Sequence, residues 1–311
     1  MKKFKVSVVV PALNEAENVE PLLSRLVPVL EKYADYEVIF VDDGSQDNTI
    51  LMLDEEHKKN NKINYVSFSR NFGHQYALRA GIDYATGDCV ISMDADLQHP
   101  PELIDEMIKE WLNGNDIVYT VRRDTADASL FKKVTSNLFY KIFSFFSGLK
   151  LPRGAADFRL LDRKVADVLS SMREGNLFMR GMVFWLGFKQ KAIYYRAEKR
   201  FKGTSSYTFS KMFALALLGA TSFSVKPLRL AIYLGLIIAF FGAFFTAYVL
   251  YLKLFSGSVI TGWSSLMSVM LVLGGVQLFM MGIIGEYVGM IFMETKQRPR
   301  YIVRQTTINK E

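Results

Sequence analysis

Cysteine is nearly absent. Cys89 is the single one in 311 residues, so no intramolecular disulfide can form and nothing points to an oxidising compartment. Charge is scarce too, at 22% of residues against 50% apolar, a balance that excludes a disordered or low-complexity chain. The net charge of +7 would suit nucleic acid or an anionic membrane face. Its distribution separates the two: charges are almost missing from the last third, and no basic stripe runs along the first two thirds, so nucleic acid is not an expected partner. Two phosphate-binding signatures are also lacking, the P-loop and a G-x-G-x-x-G after the first strand pattern. The opening MKKFKVSVVV has too short an apolar run for a signal peptide and leads straight into polar residues.

The uncharged stretches of the last third predict a membrane hairpin. Leu230–Leu252 offers 23 consecutive residues without a charge. As a helix that run spans roughly 34 Å, enough for a ~30 Å hydrocarbon core. A second uncharged stretch, Leu254–Gly285, is densest over Leu266–Gly285. The expected spans are about 230–252 and 264–286, joined by Ser256–Ser265. Lys226 and Arg229 precede the first; Lys296, Arg298, Arg300 and Arg304 follow the second; the link region offers only Lys253. The positive-inside rule then puts both termini and the preceding domain on the cytoplasmic face of a multi-pass protein of the cell membrane. Glu286, near the end of the second span, is expected at the wet interface. Residues 129–149 and 212–225 carry apolar residues at helical spacing or in short runs, and either could lie on the membrane surface. A helix packed on the domain core serves the first equally well. Gly235, Gly242, Gly274 and Gly275, with Ala243 and Ala247, permit close helix packing and hence a homo-oligomer without requiring one. The expected organisation is a domain over 1–210, a juxtamembrane segment over 211–228, the hairpin over 229–293 and a basic tail over 294–311.

Ahead of the hairpin, strand-like and helix-like patterns alternate. Strands are predicted at Val6–Val10, Glu37–Val41, Ile63–Ser67, Cys89–Met93 and Asp116–Val121, apolar or β-branched and mostly without clean alternation, as for strands buried on both faces. Helix-length stretches lie between them at Asn18–Lys32, Asn48–Asn60, Gln75–Ala85 and Pro101–Asn113. Pro21 fits a first helical turn, while Pro28 is expected to kink or shorten its helix. This α/β alternation predicts a doubly wound, mostly parallel sheet. A polar cluster follows each strand: PALNE, DDGS, RNFGH, DADLQH and Arg122–Asp124. Ligands of open parallel sheets bind at the carboxyl ends of the strands, so five clusters converge on one edge. A single such cluster would be turn chemistry. Five are a site.

Asp94 and Asp96, two carboxylates at i and i+2 with Gln98 beside them, offer hard oxygen ligands suited to Mg²⁺ or Mn²⁺. With no glycine-rich phosphate loop, a metal-bridged diphosphate is the natural substitute. Asp42 or Asp43 could accept hydrogen bonds from a base or ribose, and Glu15 is placed for the same pocket.

Four ordered runs, VSVVVPALNEAENV, VIFVDDGSQDNT, SRNFGHQYALRAGIDYATGD and MDADLQHPPEL, resemble glycosyltransferase family 2 with its GT-A fold. The hairpin makes the whole chain similar to the polyprenyl-phosphate glycosyltransferases of that family. The resemblance implies an inverting, metal-dependent transfer of one sugar from a nucleotide sugar to a polyprenyl phosphate lipid at the cytosolic membrane face, for cell-envelope glycan modification. Bacterial members imply UDP-glucose and undecaprenyl phosphate; N-acetylglucosamine, galactose, aminoarabinose and GDP-mannose are alternative donors. It also implies a nucleoside pocket lined by Pro11, Leu13, Glu15 and Asp43, supported by Asp42, with Arg70 and Asp94 on the nucleotide sugar. Asp94, Asp96 and Gln98 would hold the metal, and Asp157, in GAADFRL, would stand with Asp96 near the reacting centre. Arg122 matches a basic position between donor and acceptor. In Arg200–Tyr207, Arg200, Ser205 and Tyr207 would meet phosphate oxygens; members often carry Lys where this chain has Ser206, which turns attention to Lys202.

The residues themselves point the same way. Arg200 and Lys202 lie just before the segment assigned to the membrane, and arginine suits phosphate through bidentate hydrogen bonds; attraction to anionic head groups is the other account. A phosphate monoester has a second pKa near ~6, so an acceptor of this kind barely needs a general base. Asp157 is therefore expected to position the acceptor or stabilise charge at the sugar carbon. His99 is expected to stabilise the turn before Pro100, and His74 to cap or line a loop. A processive polysaccharide synthase would add Q-x-x-R-W and more spans, a nucleotidyltransferase would have a glycine-rich first loop, and a silent binding module need not keep Asp94, Asp96, Asp157 and Arg200.

Overall fold

The computed structural model describes residues 3–122, 144–145, 147–148, 152, 154–175, 177–196, 224–255 and 262–308. Two compact units divide the chain: one holds the N-terminal domain together with residues from Arg298 onward, the other the two long apolar helices.

In the first unit, β1 (Lys5–Ala12), β2 (Asp35–Asp42), β3 (Ile63–Phe68) and β4 (Cys89–Ser92) form the parallel heart of an eight-stranded sheet. β5 (Ile117–Arg122), β6 (Ala155–Asp162), β7 (Gln190–Tyr195) and β8 (Val303–Thr306) complete it in the order β7-β5-β6-β4-β1-β2-β3-β8. β1 shows why the apolar runs lack alternation. Val6, Val8 and Val10 face a core shared with Leu22 and Leu26 of α1 (Ala16–Leu30), Leu53 of α2 (Thr49–Lys59) and Ile104 of α4 (Leu103–Leu112). Val9 points the other way, against α3 (His74–Tyr84), where a Cβ on Gly81 would stand 2.0 Å from a Val9 methyl. Both faces are dry, so every residue of the strand after Lys5 is apolar or small.

The predicted strands and helices of the first 122 residues are all present, within two residues at each end. Pro28 does not stop α1, which runs past it to Leu30. Three strands and two helices had no counterpart in the sequence reading: β6, β7, β8, α5 (Arg163–Ser171) and α6 (Met179–Trp185). β6 runs antiparallel to both β4 and β5, so the sheet is mixed rather than wholly parallel. β8 comes from the basic tail. It pairs antiparallel with β3 and covers what would be an open sheet edge. Its four residues, Val-Arg-Gln-Thr, are largely exposed, so backbone pairing rather than an apolar period places it.

In the second unit, α7 (Lys226–Phe255) and α8 (Trp263–Thr295) contain apolar spans at Leu228–Val249 and Val272–Thr295, long enough to cross a membrane and unburied within the protein. Phe240, Phe241 and Phe244 are each about two-thirds exposed, a surface that fits lipid and not water. The second apolar stretch reaches Thr295, nine residues beyond Glu286.

Candidate active site

The strand directions bring the polar clusters after β1 to β4, and Arg122 at the end of β5, to one edge. β1 to β4 are parallel, and β5 is antiparallel to β6, which is antiparallel to β4. The carboxyl ends of β1 to β5 therefore share an edge with the start of β6, the end of β7 and the start of β8.

The first three loops are tied to one another. Asn14, in left-handed backbone (φ 57°), accepts from the Gln46 N–H through Oδ1 at 2.9 Å and donates its own N–H to Ser45 Oγ at 2.8 Å. The Glu15 N–H donates to Thr49 Oγ1 at 2.9 Å, and the Glu15 carboxylate accepts from the Asn18 amide. Asp42 accepts from the Ser45 N–H at 3.0 Å and Ser67 Oγ at 2.8 Å. Asp43 takes the Phe72 N–H at 2.7 Å and the Gly73 N–H at 2.9 Å. Burial raises the Asp43 pKa, with neighbouring Asp42 adding to the rise, against the pull of those N–H groups. Both aspartates thus shape the loops first; Asp43 Oδ1 accepts from both N–H groups, and capacity for a ligand donor remains on Asp43 Oδ2 and the Asp42 oxygens. Pro11 is buried behind them, Leu13 is 41% exposed, and the Arg70 guanidinium lies 4.0 Å over the Phe72 ring.

Gly44, with φ 77°, is a fixed point of this arrangement: a Cβ there would stand 2.5 Å from the Arg70 carbonyl carbon. Gly44→Ala therefore meets both a left-handed backbone and a backbone collision. It is expected to push the Arg70–His74 loop outward and weaken nucleotide binding at least about tenfold, a loss of ~1.4 kcal/mol readable by calorimetry.

At the end of β4, Leu97 has φ 60°, an outlier for a bulky side chain and of the kind that collects at functional sites. That bend sits between Asp96 and Gln98, whose N–H donates to Asp96 Oδ1 at 3.1 Å. The Asp94 N–H donates to His99 Nδ1 at 3.1 Å, and His99 stacks on Phe158 with 5.1 Å between ring centroids. His99 therefore holds the turn, as expected. Asp94 Oδ1 is buried without a hydrogen-bond partner, an expensive state for a carboxylate oxygen unless a ligand meets it. His74 Nε2 stands 3.7 Å from it, beyond hydrogen-bond reach. Among the described residues no group of three or more His, Cys, Asp or Glu side chains is gathered for a metal. Two aspartates with one orphaned oxygen fit Mg²⁺ or Mn²⁺ of the kind that takes its remaining ligands from substrate phosphates and water.

Asp157, at the start of β6, is clamped. Oδ1 accepts from Arg159 Nη2 at 2.5 Å and Oδ2 from Arg180 Nη2 at 3.0 Å, while His74 Nε2 lies 3.8 Å away. Burial works to raise its pKa, but the Arg180 and Arg159 guanidiniums, with His74, hold it well below the usual carboxylate range. Such a group is ionised and weakly basic throughout the physiological range. His74, expected only to cap or line a loop, spans the gap between Asp94 and Asp157.

Arg122 ends β5 exposed, directly opposite Tyr195 in the register with β7. Burial pushes the Tyr195 hydroxyl up to about 12, with Arg122 opposing and Asp94 and Asp96 adding to the rise. Tyr195, Arg159 and Arg180 are site residues that the sequence reading missed. Only Arg159 left a signal there, two residues after Asp157 and so on the same strand face. Arg200, Lys202, Ser205 and Tyr207 lie outside the described residues, as do nearly all of 129–149 and 212–225.

Residues 7–169 match the model of glycosyl transferase family 2, and residues 226–291 match that of the GtrB C-terminal hairpin. The chain is 44% identical over 306 residues to the uncharacterized glycosyltransferase YkcC of Bacillus subtilis, covering 98% of this chain and 95% of that protein. It is 38% identical over 304 residues to the prophage bactoprenol glucosyl transferase homolog of Escherichia coli, covering 97% and 99%. To the bactoprenol glucosyl transferase of Shigella phage SfX it is 38% identical over 303 residues, again covering 97% and 99%. The mixed, mostly parallel sheet is the GT-A arrangement and the apolar helices fall in the stretch that matches the GtrB hairpin; the chain is a glycosyltransferase and belongs to glycosyltransferase family 2.

Proposed function

We propose that this transferase moves one sugar, glucose, from UDP-glucose to undecaprenyl phosphate, with inversion and with a divalent metal, at the cytoplasmic face of the cell membrane. The observation that carries the reading is the pairing at one sheet edge of an orphaned Asp94 oxygen with an Asp157 carboxylate fixed between two guanidiniums. The relatives named bactoprenol glucosyl transferase support the lipid and the sugar. The apolar helices and the flanking basic residues support a hairpin with both termini cytoplasmic.

Asp94 and Asp96, with Gln98, would hold Mg²⁺ or Mn²⁺. When bound, the metal neutralises charge on the leaving diphosphate. Pro11, Leu13, Glu15 and Asp43 would enclose the nucleoside, with Asp42 bracing the wall and Arg70 near the phosphates. The acceptor phosphate brings its own nucleophilic oxygen, largely deprotonated above pH ~6. Asp157 then has no proton to take. It fixes Arg180 and Arg159 and offers negative charge to the sugar carbon as positive charge develops there. Arg122, Arg200, Lys202, Ser205 and Tyr207 would gather the incoming lipid phosphate.

The test is transfer of radiolabelled glucose from UDP-glucose into organic-extractable lipid by the full chain in detergent, with undecaprenyl phosphate and Mn²⁺ or Mg²⁺. Label that enters the lipid phase and disappears with a chelator supports the reading. Absence of label across a panel of UDP- and GDP-sugars would replace it with a binding module.

A further inference from the structure

The residues just ahead of β8 touch the catalytic unit on two sides. Tyr301 stacks on Phe68, the last residue of β3, with 5.0 Å between ring centroids and 16° between planes. Phe68 meets Phe72 edge-on at 5.7 Å, and Phe72 carries the Arg70 guanidinium on its face and gives its N–H to Asp43. The backbone repeats the link, since the Ser69 N–H donates to the Ile302 carbonyl at 2.9 Å. One ring thus supports the loop Arg70–His74 from behind.

The other side runs through charge. The Tyr301 hydroxyl donates to Asp83 Oδ2 at 3.2 Å, and Asp83 Oδ1 accepts from Arg79 Nε at 2.8 Å. Arg79 is fully buried and donates to the carbonyls of Ser170 and Met172. Arg300 donates to the Met172 carbonyl and, at 3.1 Å, to that of Glu174. From there the chain is tethered twice to α3, by Tyr76 at the Gly175 carbonyl (2.8 Å) and by Gln75 at the Met179 N–H (2.9 Å). The next residue is Arg180, which grips Asp157.

We propose that Arg300 and Tyr301 are positioning residues for sugar transfer, fixing through one dipeptide both the Arg70–His74 loop and the 172–180 segment that carries Arg180. The proposal rests on the transferase reading above. Neither residue belongs to β8, so the strand can pair with β3 when they are altered. Two loops that would otherwise move separately are held in one geometry, and an error of ~1 Å in such a geometry costs about a hundredfold in rate.

The test compares the full chain with Tyr301→Ala, Tyr301→Phe, Arg300→Ala and, as a strand control, Thr306→Ala, which removes a hydroxyl bond to the Tyr65 carbonyl. UDP affinity by calorimetry with Mn²⁺, kcat, and Tm are read for each. Tyr301→Ala is expected to weaken UDP about tenfold and to lower kcat up to about a hundredfold. Arg300→Ala and Tyr301→Phe, which spare the Phe68 stack, are expected to lower kcat with UDP affinity kept. Thr306→Ala is expected to change Tm alone. If Tyr301→Ala does not fold, the split between kcat and affinity in the other two decides. Variants that all shift Tm and leave kcat and affinity at wild-type values would reduce the dipeptide to an edge cover and overturn the proposal. A wild-type chain that neither binds UDP nor transfers sugar would instead overturn the transferase reading, and this proposal with it.

Discussion

Replacing Asp94 by Asn is expected to lower sugar transfer by about 10²–10³-fold, the scale seen when one preorganised electrostatic contact to developing charge is removed. The substitution keeps size and shape but converts a hard anionic ligand into a neutral amide. Because Asp94 Oδ1 accepts no hydrogen bond from the protein, the substitution breaks none there, and the fold gives up only the longer-range attraction of His74, 3.7 Å away. Stability is therefore expected to stay nearly level, which separates this variant from one that fails by unfolding. The concentration of Mn²⁺ or Mg²⁺ needed for half-maximal rate is expected to rise together with the fall in rate. A variant with unchanged metal requirement would remove Asp94 from the metal site. Equal loss of stability and activity would make it a structural residue.

Asp157→Ala is expected to do the opposite to the fold. It leaves Arg159, 4% exposed, and the partly buried Arg180 without their shared counter-ion. Stranding buried charge costs about 3–5 kcal/mol, so a marked fall in Tm should accompany loss of transfer. The pH dependence follows from the depressed pKa. The folded value lies below the unfolded value of about 3.9, so the stabilisation is complete above that value and is lost only as pH falls through the lower folded pKa. Between pH 5 and 8 Asp157 neither gains nor loses a proton. The acidic limb of kcat/KM is then expected to follow the acceptor phosphate, near pH ~6, and to persist in Asp157→Asn at a lower plateau. Full recovery of Asp157→Asn at higher pH, or a limb present only in the wild type, would instead make Asp157 a general base.

Much of the fold was legible. Val6–Val10, Val38–Val41 and the strands beside them announce themselves because both faces are buried, so burial is written into every residue. The polar loops were legible for the complementary reason: Asp42, Asp43, Asp94 and Asp96 interrupt apolar runs at the points where a parallel sheet exposes its ends. β6 was harder. Asp157 and Arg159 break its apolar run with charge, and only in the fold do they pair with each other and Asp157 with Arg180. β8 was illegible because a four-residue edge strand has no face to bury.

The sequence by itself determined the alternation of strands and helices, the positions of the strand-end carboxylates and the two apolar spans. Each is a pattern within a few residues, set by whether a side chain meets water, core or lipid. Tertiary structure alone decided which carboxylate keeps an oxygen without a hydrogen bond and which is clamped. It also decided that His74 stands between them and that Arg300 and Tyr301 return to the sheet. The reason is physical: a charge takes its character from its nearest neighbours, and here those come from segments 23 residues apart, as in Asp157 and Arg180, or 218 apart, as in Asp83 and Tyr301. Strand order brings them together, and no local period encodes strand order.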